Sequence, residues 1–386
     1  RSGNLQFADS ISKRCFYIAD SINDINYLFN SYSARSIYFW FTENLDSAKT
    51  YMKKAIQYAD SSKQIDNLII AKINYTSLNR NGGNHDELIS QFLELIDLCK
   101  NRQKWELMGN AYNNLANIYN SRDMLFTAMK YYLKAIELFK KVDKESKLLI
   151  PYNNIASIYL DLGMDSLANN YFDKVIVSSL KSNNILRYSD AVLNKLTIYN
   201  YNYDFEQSLE LGTELLSFLK KNNYPVTANY AVCYSVLGDA YLKTKNYNQS
   251  YKFLKRAMHL SDSLKLGYES INIALSMADY YYQTKDYDKL IKHANKTYDA
   301  AKKMQHTAGM LYISKYLAEI NSKKKNYSEA LKYYGIYTDL SQNKIDTLTS
   351  QKAKDFAYYN ELQVKESEKQ NLQKENVLSS IEKQNQ

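Results

Sequence analysis

The residues able to do covalent or metal chemistry are few in this chain and poorly placed for it. His85, His259, His293 and His306 include no pair at i, i+4 with a carboxylate, the arrangement by which a helix holds zinc. Cys15, Cys99 and Cys233 are odd in number, far apart and without the His or Asn/Asp spacing of a nucleophile, so Cys99 and Cys233 read as buried packing residues. Gly82-Gly83 is followed by no Gly-Lys-Ser/Thr and makes no phosphate loop. The expectation is a chain with no catalytic residues, no metal and no cofactor. What recurs instead is the carboxamide. Asn74, Asn114, Asn154 and Asn194 fall forty residues apart, with Asn113, Asn117, Asn120 and Asn153 beside them. An Asn side chain both donates and accepts, so a row of them can pair with the backbone of an extended peptide whatever its side chains are. The other use of such a row is packing between helices, and the sequence leaves both open.

Elements that would position this row are helical. The 386 residues contain 2 Pro and 10 Gly, too few turn formers for a loop-rich or all-β chain, while 38 Tyr supply apolar bodies with polar tips. Aligning the chain on itself gives a forty-residue period. Ala48/Met52/Ala55 recurs as Leu88/Phe92/Leu95, Ala128/Tyr132/Ala135, Ala168/Phe172/Val175, Ser208/Gly212/Leu215, Ser250/Leu254/Ala257, Leu290/Ala294/Thr297 and Ala330/Tyr334/Tyr337, with one step of forty-two after Ser208. Twelve residues upstream of the small residue stands a second one, followed by Tyr in Ala116–Tyr119, Ala156–Tyr159, Gly238–Tyr241 and Ala278–Tyr281. The two half-patterns define a hairpin of helices A and B that approach closely at small residues, with aromatics filling the space between neighbouring hairpins. Asn44, Asn84, Asp204, Asn246, Asp286 and Asn326 stand where they would cap helix B. Residues 8–22 read as the helix B of a partial repeat spanning 1–24.

This pattern resembles the tetratricopeptide repeat (TPR), approached most closely by Leu237-Gly238-Asp239-Ala240-Tyr241 and by Tyr112 to Ala135. The resemblance implies an all-α, right-handed α-solenoid of about eight hairpins over residues 1–344, with 345–386 a capping and charged helical tail. Each repeat exceeds the usual length of ~34 residues, and the closing Pro is missing, so helix B is expected to run on. In a TPR stack helix A lines the concave face, which puts the Asn row in the groove. There it resembles the asparagine ladder of the O-linked N-acetylglucosamine transferases and would take a protein or peptide ligand. TPR domains that clamp a C-terminal carboxylate use Lys and Arg at groove positions, and here only Lys315 matches.

The net charge of +9 arises in residues 221–340, where 18 basic residues face 10 acidic ones, recurring at helix ends and turns. A solvated edge accounts for them, and no contiguous basic stripe suggests nucleic acid. No run approaches the ~18 apolar residues of a membrane span. The tail Tyr359-Asn360-Glu361-Leu362-Gln363-Val364-Lys365-Glu366, with Leu372-Gln373-Lys374-Glu375-Asn376, resembles the charged stretch after the TPR array in membrane-anchored regulators of the Bacteroidota. That resemblance implies a periplasmic sensor region of a histidine kinase or helix-turn-helix regulator, tethered to the membrane outside these residues and able to form a homodimer through the tail. The alternative is a soluble, cytoplasmic TPR scaffold or peptide-pheromone receptor.

Overall fold

The computed structural model describes residues 2–346 apart from 23, 43, 62–63 and 80–83, and no strand occurs among them. The helices are α1 (Ser2–Ile22), α2 (Ile25–Phe41), α3 (Leu45–Ser61), α4 (Ile65–Leu78), α5 (His85–Asn101), α6 (Trp105–Ser121), α7 (Leu125–Lys141) and α8 (Glu145–Asp161). They continue as α9 (Asp165–Lys181), α10 (Ile185–Tyr201), α11 (Phe205–Lys221), α12 (Ala228–Lys243), α13 (Tyr247–Leu264), α14 (Tyr268–Gln283), α15 (Tyr287–Lys303) and α16 (Thr307–Lys323), with α17 over 327–346. The chain divides into two compact units, residues 1–151 and 152–351. Within each, successive helices pack as antiparallel hairpins of the α-solenoid class, even-numbered helices taking the A position and odd-numbered ones the B position. Most of the tail, including the proposed cap Phe356 to Val364, and the Gly82-Gly83 turn lie outside the described residues.

Most helices are 17 residues long and begin twenty residues after the one before. The length beyond a ~34-residue repeat is therefore shared equally by A and B: helix B runs on as expected, and helix A is lengthened by as much. The single step of forty-two falls at the connection between α11 and α12, where Pro225 lies in a longer link.

The turns explain the scarcity of Gly in a way the sequence reading missed. From α5 to α16 a residue at positive φ stands two places past the helix end, or one place past it at α13: Gln103, Asp123, Asp143, Gly163, Asn183, Tyr203, Asn223, Lys245, Lys265, Lys285, Gln305 and Lys325. The following N–H then reaches back to the last turn, as in Lys104 N to Cys99 O at 2.8 Å and Asn246 N to Tyr241 O at 2.8 Å, and the left-handed residue donates to the carbonyl three before it. This double bond satisfies the orphan carbonyls of the helix end. One of the twelve left-handed positions is Gly; the others carry the steric cost of a Cβ there, ~1–2 kcal/mol.

The cap expectations hold at Asn44, Asn84, Asn246 and Asp286, whose side chains accept from first-turn amides. Asp204 makes no such bond. Asn326 instead donates its amide to Asn321 Oδ1 at 3.4 Å. Asp24, Asn184 and His306 also cap, beyond those read from sequence.

The forty-residue packing series is buried from Ala48 through Thr297, but in α17 the buried aromatic is Tyr333, while Tyr334 is 41% exposed. Tyr333 stands three residues after Ala330, the place that Tyr131 and Tyr171 hold in their own helices. Aromatics pair between hairpins, as Tyr282 with Tyr316 at 5.1 Å and Tyr298 with Tyr333 at 5.5 Å, and also within them. Tyr119 stacks on Tyr131 at 5.4 Å, Tyr159 meets Tyr171 at 5.6 Å, and Tyr241 meets Phe253 at 5.3 Å. Each ring stands three residues after the small residue of its own helix, so the two point to the same side of the A–B contact. At Gly238 that contact is tight: a Cβ would lie 2.6 Å from Leu254 Cδ2 and Cγ.

Two substitutions test this account by thermal denaturation. Lys245→Gly relieves an exposed left-handed residue and is expected to stabilise by ~1 kcal/mol. Gly238→Ala overpacks the hairpin and is expected to cost ~1–3 kcal/mol.

Candidate functional site

The A helices of the first unit enclose a cavity of about 670 Å³, within the size range of small-molecule and peptide pockets. Ser36, Ile37 and Trp40 enter from α2, Ile70, Ile73, Asn74, Ser77 and Leu78 from α4, and Glu106, Leu107, Asn110, Asn113, Asn114 and Asn117 from α6. Lys147 and Ile150 close it from α8, with Leu45, Met52 and Phe139 from helices B beneath. The register explains the gathering. Ile37, Ser77 and Asn117 each follow the small residue of their A helix by one position, forty residues apart, so equivalent side chains line one face.

The wall is apolar and open. Ile37, Trp40, Ile70 and Ile150 line it while being between 38 and 52% exposed. Its polar groups are mainly neutral. Glu106 is the carboxylate, and it faces two lysines, Lys144 Nζ at 3.4 Å and Lys147 Nζ at 4.0 Å.

Of the Asn row, the cavity brings together Asn74, Asn113, Asn114 and Asn117, joined by Asn110. Asn120 lies on α6 but outside it, and Asn153, Asn154 and Asn194 belong to the second unit. Lys315 is exposed on α16, also in the second unit. The row is divided between two uses. Asn117 Oδ1 accepts from Tyr132 Oη at 2.6 Å, and Asn114 Nδ2 donates to Asn110 O at 3.0 Å, so both amides are partly spent on the fold. Asn113 Oδ1 is buried and accepts from no group, which leaves it an acceptor for an incoming N–H. Sequence reasoning missed Ile37, Trp40, Glu106 and Lys147. Ile37 and Trp40 could have been found from their spacing, since they stand one and four residues after Ser36.

The remaining reactive groups are inert by position. Burial pushes the Cys99 thiol up to about 11 and the Cys233 thiol up to about 12, so both are protonated at neutral pH. His293 Nε2 lies 2.8 Å from Ala274 O, and burial pushes its pKa down, which keeps the ring neutral with the proton on Nε2. Among the described residues no group of three or more His, Cys, Asp or Glu could hold a metal ion, and no helix is long and apolar enough to cross a membrane.

Comparison with known proteins agrees with the hairpins. The tetratricopeptide repeat model matches residues 109–141 and 231–263. No curated protein sequence matches the chain. Aspartyl phosphate phosphatase F from Bacillus subtilis is similar in structure with a TM-score of 0.59 at 12% identity, over 88% of this chain and 90% of its own. A Rap protein complexed with competence and sporulation factor gives 0.51 at 12% identity, over 85% and 99%. The apo quorum sensor NprR from B. thuringiensis gives 0.50 at 15% identity, over 84% and 99%. At these identities the likeness speaks for the fold.

The thiol assignment is open to a direct check. A maleimide at pH 7.5 is expected to modify the exposed Cys15 quickly and to spare Cys99 and Cys233 until the chain is unfolded; early labelling of either buried thiol would contradict it. The two hairpins at 109–141 and 231–263 match the tetratricopeptide repeat model, and the described residues form an all-α array of TPR-like hairpins.

Proposed function

We propose that this chain is a non-catalytic protein- and peptide-interaction module that holds an extended ligand segment in the A-helix cavity of its first unit. The observation that carries this reading is the cavity's pairing of an open apolar wall with carboxamides, one of which, Asn113, keeps a buried acceptor without a partner. Apolar side chains of a ligand would cover Trp40, Ile37, Ile70 and Ile150, while its backbone N–H groups meet the amides. Asn117 contributes less than a ladder would suggest, because Tyr132 already holds its oxygen.

For its biological setting we infer the periplasmic, ligand-sensing region of a membrane-bound signal transducer. The charged stretch from Tyr359 to Asn376 supports this by its resemblance to the tails of Bacteroidota regulators, and it lies outside the described residues. The fold shared with a factor-bound Rap protein and with the quorum sensor NprR favours a second reading, a soluble peptide receptor that regulates a partner protein. The parent gene separates the two. An apolar span downstream of Gln386 is expected for the transducer, and a stop codon there with a signal-free start leaves the soluble receptor.

The cavity itself is tested by selecting a phage-displayed linear peptide library on the whole chain. Selected peptides are expected to carry aliphatic or aromatic residues, and the triple variant Asn74→Ala, Asn113→Ala, Asn114→Ala to bind them at least ~10-fold more weakly with little change in melting temperature. Retained binding with a large loss of stability would return the amides to packing.

A further inference from the structure

A second cavity of the first unit lies where the hairpin pattern breaks. In four hairpins the contact between helices A and B carries one clasp, two aromatic rings from A, one from B, and a cation from B. In α6–α7 Tyr131 meets Tyr112 at 5.9 Å and Tyr119 at 5.4 Å, and Lys134 Nζ stands 5.6 Å from the ring centres of Tyr112 and Tyr131. In α8–α9 Tyr171 meets Tyr152 at 6.0 Å and Tyr159 at 5.6 Å, with Lys174 over both Tyr152 and Tyr171. Tyr51 repeats the contact with Tyr32, Phe39 and Lys54 in α2–α3, and Phe253 with Tyr234, Tyr241 and Arg256 in α12–α13.

The hairpin α4–α5 lacks every member of this clasp. Counting forty residues back from α6–α7, Lys72 stands for Tyr112, Asn79 for Tyr119, Gln91 for Tyr131 and Glu94 for Lys134. The rings are gone and the cation is reversed in sign. In their place is a cavity of about 380 Å³ between α3, α4 and α5, with Ile56, Leu95 and Leu98 as its apolar base and Lys72, Gln91 and Glu94 as its polar lining. Gln91 is held by its neighbours: its Oε1 accepts from the buried Thr76 hydroxyl at 3.3 Å, and its Nε2 donates to Glu87 at 3.1 Å. Lys72 and Glu94 are exposed at the mouth, and neither makes an ion pair among the described residues.

We propose that this cavity is a binding site for a free aromatic amino acid, whose ring takes the place that Tyr112 and Tyr131 hold in the next hairpin. A space vacated by side-chain rings between two helices has the thickness of a ring, and Ile56, Leu95 and Leu98 give it the apolar contact that a ring needs. Its volume lies near the lower end of ligand pockets, which suits one small molecule. The two charges suit a zwitterion. Lys72 faces the α-carboxylate and Glu94 the α-ammonium. Their counterparts Tyr112 and Lys134 stand 5.6 Å apart in α6–α7, so both charges border one opening and can meet groups carried on a single carbon. An aromatic residue inside a peptide has the ring but neither charge, and an aromatic amine has only the ammonium.

The test is isothermal titration calorimetry of the whole chain with phenylalanine, tyrosine and tryptophan, each beside its decarboxylated amine and its N-acetyl amide, and with leucine as the aliphatic control. At least one of the three amino acids is expected to bind at a single site, at least ~10-fold more tightly than its amine, its N-acetyl amide or leucine. Lys72→Met is expected to remove the preference for the amino acid over the amine, and Glu94→Gln to weaken both. The triple variant Lys72→Tyr, Gln91→Tyr, Glu94→Lys installs the clasp of α6–α7 and is expected to bind none of them; should it fail to fold, the two single changes at exposed positions decide. No saturable binding of any of the three, equal affinity for leucine or for the uncharged amide, or an affinity indifferent to both Lys72→Met and Glu94→Gln would overturn the proposal.

Discussion

The register of this fold depends on the left-handed turn that closes each helix from α5 to α16. A residue at positive φ one or two places past the helix end lets the next N–H return to the last turn, which stops the helix and starts its neighbour at a fixed point. Because most helices are then 17 residues long and most connections alike, residues forty apart occupy equivalent places on consecutive A helices. Few of these turns rely on Gly. The strain of a Cβ in the left-handed region is offset by two backbone hydrogen bonds per turn and by the burial of the series from Ala48 to Thr297.

Such a register makes function a matter of what fills one position. One residue after the helix A small residue, Ile37, Ser77 and Asn117 make an apolar and amide-lined cavity in the first unit. At the far end of the second unit the same position carries Asp239, Asp279 and Glu319, which bond to each other's helices through Ser276, Lys243, Tyr316 and Tyr282. The first arrangement leaves polar capacity unspent at Asn113, and the second spends nearly all of it internally. The same register position thus carries two kinds of side-chain array, one apolar and amide-lined, the other built of bonded carboxylates.

Much of the fold was legible because packing repeats. Ala128, Tyr132 and Ala135 are buried for the same reason as Ala168, Phe172 and Val175, and a period of forty reports that directly. The turns were less legible, since a left-handed position filled by Gln103, Tyr203 or Lys285 carries no composition signal once Gly is absent. Of the candidate site, the A-face amides were visible as a row, but the row could not say which of them the fold consumes. Only the orientation of Tyr132 shows that Asn117 is partly spent, and only the burial of Asn113 shows that its oxygen is not. Trp40 and Ile37 went unread because an apolar residue on a helix looks like core until its exposure is known.

The central claim is that the A-helix face of residues 36–150 is the surface that receives a ligand. Isotope-filtered NMR of a bound, selected peptide on the labelled chain tests it most directly. Intermolecular contacts from the peptide to the side chains of Trp40, Ile70, Leu107 and Asn113 are the result this structure predicts. Contacts confined to the outer faces of helices B, or to the second unit, would contradict it.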